Sequence, residues 1–357
     1  MKLLIDPAPP VIKWCEQTSL GFVYGESPSA AALPGASGGT SNGRRRIASV
    51  VYRLRHGGEL VRLQAQRVTP EVLDAVRGSI KFLPEYNELT FTALSRLTRA
   101  LPDIPHILLC DTAFFTAMPQ EASSYALPPL LRARGIRRYG DQGLTHQWAY
   151  AEAQKLTGGA AERTVTIQLG DHPNMAAVAN GRPLDTTVGF TPVEGLPSLT
   201  ACGDIDPAVV FELQAAGYSL GDINDILSAR SGFRALGGRG CGFLDLVSPG
   251  TDPKKELGRR ILLYDIIRNV GAFSALLGGA DAIAFIAERP AKCAAFIAEV
   301  CRGLEFMGLR CARPVSGRTG GAVISDRNSR VKVLVLKDDL WRIMDSCGKI
   351  AVQEEVI

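Results

Sequence analysis

The sequence predicts an α/β protein built as two lobes with a cleft between them. Three observations carry this. The chain has 357 residues, long for one hydrophobic core. Strand-like and helix-like patterns alternate along it in two unequal halves. Gly158-Gly159 also punctuates the chain just before a second apolar strand, Thr164 to Leu169. Apolar residues at 46% and charged residues at 21% are ordinary for a globular protein. The net charge of +4 leans weakly towards anionic ligands and gives no case for nucleic acid. No apolar run is long enough to span a membrane, and the first residues lack the apolar centre of a signal peptide. The eight cysteines are scattered, with no Cys-x-x-Cys, and there are four histidines. This argues against a zinc site or disulfide framework and for a reducing cytoplasm.

Taken in order, residues 1–14 read as a short strand with a Pro-rich turn. Residues 26–43 are rich in Ser, Ala, Gly and Pro and read as a loop or partly disordered insert. Ile47 to Arg55 alternate apolar and polar and end at His56-Gly57-Gly58, a strand running into a turn. Residues 69–81 and 88–101 read as amphipathic helices, the first opened by Thr69-Pro70 as N-cap and first helical residue. Ile107 to Cys110 is a short buried strand ending at Asp111. Thr145 to Leu156 is helical in pattern. Met175 to Gly181 reads as a strand and hairpin turn. Helices follow near 207–216, 220–229, 253–277 and 290–307, with strands at Ala282–Ile286 and Val331–Leu336.

The segment Asp185-Thr186-Thr187-Val188-Gly189-Phe190-Thr191-Pro192-Val193-Glu194-Gly195-Leu196, followed by Gly203-Asp204-Ile205-Asp206-Pro207, packs a polar turn, a Gly-Phe-Thr-Pro corner and an acidic turn into one stretch. Such density of special backbone residues suits a loop that brings phosphate or metal near its amides. It closely resembles the acetate kinase (acetokinase) family, which has D-T-S-M-G-F-T-P-L-E-G-L and T-R-S-G-D-I-D-P there. Tyr52-Arg53-Leu54-Arg55-His56-Gly57-Gly58-Glu59, Cys110-Asp111-Thr112-Ala113-Phe114 and Gly135-Ile136-Arg137-Arg138-Tyr139-Gly140 resemble further family segments in the same order. The resemblance implies the two-lobed duplicated fold of the actin-like ATPase and sugar-kinase superfamily, with lobes at 1–146 and 147–357. It also implies phosphate transfer between ATP and a short organic acid using Mg²⁺, in a cytoplasmic homodimer acting on a small carboxylate or other small anion.

By the same resemblance the catalytic positions are Arg53, Asp111, Gln142 and Ala201. The substrate pocket is Arg53, Arg55, Glu85, Asp141 and Pro192. Nucleotide is expected at Gly170, Asp171, Gly203, Asp204, Gly240 and Gly242, and metal at Asp338. Several of these differ from the family pattern. Gln142 replaces a histidine, Ala201 an arginine, and Asp6-Pro7-Ala8-Pro9-Pro10 an Asn-Ala-Gly-Ser turn. His172 replaces a glycine and Tyr86 a histidine. Phosphoryl transfer to a carboxylate brings anions together, so it depends on positioning and positive charge. Arg53 can serve as a fork for carboxylate or phosphate, or as half of an ion pair. Asp111 can position a substrate, or cap a helix. Arg55, Glu85 and Asp141 put charge where the family receives a methyl group. This fits either a larger polar ligand or a pair between Arg55 and Asp141 or Glu85. His56, His106, His146 and Cys202 read as structural residues. Two functions follow as expectations: a carboxylate phosphotransferase with altered substrate, or a non-catalytic relative acting as a binding or dimeric scaffold module.

Overall fold

The computed structural model describes residues 1–18, 21–36, 47–238, 240–248, 250, 252–312 and 321–353, with side chains described only as far as residue 348. Its packing falls into two units: 1–116 with 141–144 and 339–357, and 117–140 with 145–338.

The first unit is a six-stranded sheet. Its strands are β1 (Lys2–Ala8), β2 (Val11–Thr18), β3 (Gly21–Ser27), β4 (Ser49–Leu54), β5 (Ala65–Arg67) and β6 (His106–Cys110), in the order β3-β2-β1-β4-β6-β5. β1, β4 and β6 run parallel, and β2, β3 and β5 pair antiparallel. Strand alternation turns Leu3 and Ile5 of β1 and Val50, Tyr52 and Leu54 of β4 into one apolar cluster, joined by Ala93, Leu94 and Leu97. Those last three belong to α2 (Pro84–Ala100); α1 (Pro70–Ser79) precedes it. As the sequence predicts, Thr69 caps α1, its hydroxyl accepting from Val72 N with Pro70 at the first position. A C-terminal helix, Leu340–Gln353, packs on β4, β5 and β6.

The second unit repeats the plan. β7 (Arg163–Leu169), β8 (Asn174–Ala179), β9 (Arg182–Thr186), β10 (Ala282–Ala287), β11 (Ala322–Val323) and β12 (Lys332–Lys337) lie in the order β11-β12-β10-β7-β8-β9. Each strand takes the place of the one six earlier in the chain, with the same parallel and antiparallel neighbours. The helices are α3 (Gln120–Ser123), α4 (Pro129–Arg132), α5 (Gly143–Thr157, entering from the first unit), α6 (Ala208–Ala215), α7 (Leu220–Ser228), α8 (Gly232–Gly237), α9 (Phe243–Val247), α10 (Pro253–Leu276) and α11 (Ala294–Gly303). The core joins Val165, Ile167, Ile283 and Phe285 of the sheet to Leu262, Ile266 and Val270 of α10.

Three expectations are corrected. Residues 1–14 are not one strand and a turn but β1 and the first half of β2, with Pro9-Pro10 as the two-residue hairpin turn between them. The supposed insert from residue 26 begins inside β3 and continues as a 3-10 turn, Ala30–Ala32, with Leu33 and Ala36 in the core; 37–43 lie outside the described residues. The helix expected over 290–307 is a 3-10 turn (Pro290–Cys293), α11 and a second 3-10 turn (Glu305–Met307).

Candidate functional site

In the first unit, strand register assembles the charged residues. Ile5 pairs with Tyr52, and Arg53 pairs with Leu109. The next residues along β1 and β6 are Asp6 and, after Cys110, Asp111. Parallel neighbours thus deliver Asp6, Arg53 and Asp111 at the same ends of adjoining strands. Period-two alternation puts Arg55 on the Arg53 side of β4, away from the Tyr52 cluster.

These groups bind one another. Arg53 Nη1 donates to Asp6 Oδ1 at 3.1 Å, and its Nε and Nη2 reach Asp111 Oδ2 at 2.9 and 2.8 Å. Arg55 grips Asp141 through Nε at 3.2 Å and Nη2 at 2.5 Å, stands 3.6 Å from Asp111, and stacks its guanidinium over the Tyr86 ring. Asp111 Oδ1 accepts from Leu144 N at 3.3 Å. All five charged side chains are buried, Asp111 completely. Burial, with Asp141 nearby, raises the Asp111 carboxyl above its ordinary range even though Arg53 and Arg55 oppose the shift. Asp141 is also penalised by burial, but Arg55, Arg53 and the Gln142 amide together hold it below the ordinary range. Three carboxylates meet two guanidiniums here, a formal excess of one negative charge. Gln142 beside them is held at φ 54°, a left-handed conformation that side chains other than glycine rarely adopt. Glu85 is exposed in the first turn of α2.

In the second unit, several backbone donors of the 185–207 segment are bonded within it or to neighbouring parts of the same unit. Thr187 N donates to Met175 O, Val188 N to Thr186 Oγ1, Val193 N to Thr191 Oγ1, and Gly195 N to Asp204 Oδ1 at 2.8 Å. Phe190 N donates to the Tyr125 hydroxyl at 2.9 Å. That hydroxyl in turn donates to Glu194 in a short bond, and Arg138 clamps Glu194 Oε1 through Nε and Nη2 while its Nη1 reaches Asp185. Burial, reinforced by Glu194, pushes the Tyr125 phenol above its ordinary range. A side chain at Gly189 would run into Glu194 and the Tyr125 hydroxyl, which explains that glycine. Ala201 is buried in a turn closed by Ser198, while Pro192 is partly exposed. Asp204 is exposed and lies 3.8 Å from Arg268. The amides of Thr187, Val188, Phe190, Val193 and Gly195 are therefore already engaged. Cys202 Sγ donates to Gly203 O, and burial raises its thiol.

Gly170, Asp171, Gly242 and Asp338 line one cavity of about 430 Å³ at the ends of β7, β10 and β12, together with Asp245, Glu288, Arg289 and an apolar side of Leu169, Phe243 and Leu244. Gly240 lies in the turn before α9, beside the undescribed residue 239. Gln168 Nε2 donates to Asp338 Oδ2 at 2.7 Å. Asp171 and Asp338 are hard oxygen donors of the kind Mg²⁺ takes through water. A triphosphate does not fit this lining: four carboxylates and one arginine face it, and the Gly242 amide is already bonded to Asp245 at 3.0 Å. No group of three or more His, Cys, Asp or Glu side chains able to hold a metal occurs among the described residues.

The sequence reading missed Tyr125 and Arg138 as the holders of Glu194. Arg138 stood in a recognisable Gly-Ile-Arg-Arg-Tyr run, but nothing marked Tyr125. Asp6, noted in the sequence only as a departure from the family's Asn-Ala-Gly-Ser turn, is a partner of Arg53.

A six-stranded sheet built twice in one strand order is the duplicated α/β fold of the actin-like ATPase and sugar-kinase superfamily. Comparisons narrow this. The acetokinase family matches residues 37–343. The acetate kinase of Clostridium novyi is 32% identical over 314 residues, covering 85% of this chain and 78% of that protein. The acetate kinase of Bacteroides fragilis strain YCH46 is 35% identical over 305 residues, covering 82% and 75%. Among solved structures, Porphyromonas gingivalis acetate kinase superposes with TM-score 0.83 at 26% identity, covering 98% of this chain and 99% of that one. Entamoeba histolytica acetate kinase shares the fold with TM-score 0.86 at 17% identity, covering 99% of each. The chain belongs to the acetokinase family.

Proposed function

We propose that this chain is built on the carboxylate-kinase plan of its family but is a non-catalytic member, acting as a binding or scaffold module. The observation that carries this reading is the engagement of both arginines: Arg53 and Arg55 are held by Asp6, Asp111 and Asp141. By resemblance, Arg53 and Asp111 are reactive positions, and Gln142 and Ala201 stand where the family supplies a cationic histidine and arginine. Losing one charge-stabilising donor lowers a rate by about 10²–10³. Several such losses, though not additive, put turnover many thousand-fold below that of a working kinase. A coupled assay for ADP production with acetate, propionate and polar or zwitterionic carboxylates should stay at background. Turnover on any of them that Asp111→Asn abolishes would overturn the reading.

A second reading is a phosphotransferase with an altered carboxylate substrate, using ATP and Mg²⁺. Relatives named acetate kinase and the retained Arg53 and Asp111 favour it. Nucleotide-dependent thermal stabilisation separates the two: under this reading Mg-ATP at millimolar concentration raises the melting temperature. Under either reading the chain is proposed to be a cytoplasmic homodimer, with domains at 1–146 and 147–357 and without nucleic-acid or membrane partners. No helix among the described residues is long and apolar enough to cross a membrane. Val209, Phe211, Tyr218 and Leu220 on and beside α6 and α7 expose apolar surface of the kind a subunit contact covers.

A further inference from the structure

A pair of thiols lies well away in sequence from the residues used above. Cys301 sits near the end of α11, buried in the core of the second unit. The chain then reverses through the 3-10 turn at Glu305–Met307 and through Gly308, whose φ of 84° suits glycine. The returning segment is pinned on both sides. Leu309 bridges to Val331 and Cys311 to Ser325. Arg310 N donates to Ser329 Oγ at 2.9 Å, and Ala312 N to Ile324 O at 3.0 Å. This return lays Cys311 against Cys301, and their side chains share a hydrogen bond. Cys311 is exposed, Cys301 is buried, and neither is in a disulfide. The hydrogen bond from Cys301 holds the Cys311 thiol below its ordinary range, while Cys301 is raised. An exposed thiol with a second, buried thiol beside it is the arrangement of a reactive and a resolving cysteine.

We propose that Cys301 and Cys311 form a dithiol site that a peroxide converts reversibly to an intramolecular disulfide. The Cys311 thiolate attacks one peroxide oxygen and breaks the O–O bond. Cys311 becomes a sulfenic acid, and the departing hydroxide takes a proton to give water. The Cys301 sulfur then attacks the sulfenic sulfur. An S–S bond forms, the S–O bond breaks, and a second water leaves with the Cys301 proton. Each sulfur gives up one electron, and the peroxide takes two. A dithiol reductant reverses the change.

The test is stoichiometric hydrogen peroxide on the full chain, followed by alkylation and thiol counting under denaturing conditions. The expected result is loss of two of the eight thiols, recovered with dithiothreitol, and fragment masses showing a Cys301–Cys311 link lighter by two hydrogens. At the same dose Cys311→Ser should keep its remaining thiols. Cys301→Ala should accumulate a Cys311 sulfenic acid that dimedone traps, a signature that purely structural cysteines would not give. Eight free thiols after treatment, or oxidation that leaves Cys301 and Cys311 reduced while other cysteines react, would overturn the proposal.

Discussion

Arg55 and Asp141 close on each other as a two-pronged pair, Nε to Oδ1 at 3.2 Å and Nη2 to Oδ2 at 2.5 Å, with both side chains buried. Such a pair gains little net stability from its own attraction, because both ions have left water. Its consequence is to occupy: the guanidinium fork that suits a carboxylate ligand already holds one from its own chain.

Removing Arg53 tests how far the cluster depends on it. Arg53→Met leaves Asp6 and Asp111 buried without their main counter-ion. The expected loss is about 3–5 kcal/mol, the usual cost of stranding a buried charge, read from urea unfolding. A loss under about 1 kcal/mol would mean that water or proton uptake compensates.

Asp6→Asn should act in the opposite sense on ligand binding. It removes the excess negative charge while leaving Arg53 its bond to Asp111. Inorganic phosphate or sulfate should then raise the melting temperature of the variant and leave the natural chain unmoved. Equal shifts in both proteins would show that the cluster does not exclude anions.

Gly189→Ala puts a methyl group into Glu194 and the Tyr125 hydroxyl, both held in place by Arg138 and Phe190 N. Overpacking of this kind costs about 1–3 kcal/mol. A thermal melt at neutral pH checks it, and an unchanged midpoint would mean the Tyr125–Glu194 contact gives way freely.

Asp281 offers a pH test. Arg163 bonds it through Nε at 3.1 Å and Nη2 at 2.5 Å, which lowers its carboxyl against a smaller burial effect. A folded-state pKa below the unfolded value of about 3.9 means stabilisation that is fully present above that value and lost as pH falls through the folded one. The gap in urea midpoint between the natural chain and Asp281→Asn should therefore be open at pH 7 and close in acid below about pH 4. A gap independent of pH would show that the interaction does not depend on charge.

Much of the fold was legible because it is local. Thr69-Pro70 announces α1 by a cap and a preset dihedral, and Ala282 to Ala287 is an unbroken apolar run that a parallel central strand buries on both faces. β2 and β3 were not legible: Lys13, Glu16 and Gln17 interrupt the apolar pattern, and β3 leaves Val23 and Tyr24 exposed. β5 has only three residues, too few for a period. For the candidate site, the residue types could be read but not their pairing. Asp6, Arg53 and Asp111 meet through register between strands some 50 residues apart in the chain, which no spacing encodes. Tyr125 was invisible because its role is fixed only by the fold of a loop about 70 residues away.

The β1–β2 turn has a longer reach than its two residues. Asp6, Gln142 and Ala201 depart from the family pattern in their side chains alone. Pro7, Pro9 and Pro10, however, have no amide hydrogen to offer at all. Main-chain donors at positions 7, 9 and 10 would appear only if each proline were replaced. The hairpin thus withholds three main-chain donors whatever its side chains present.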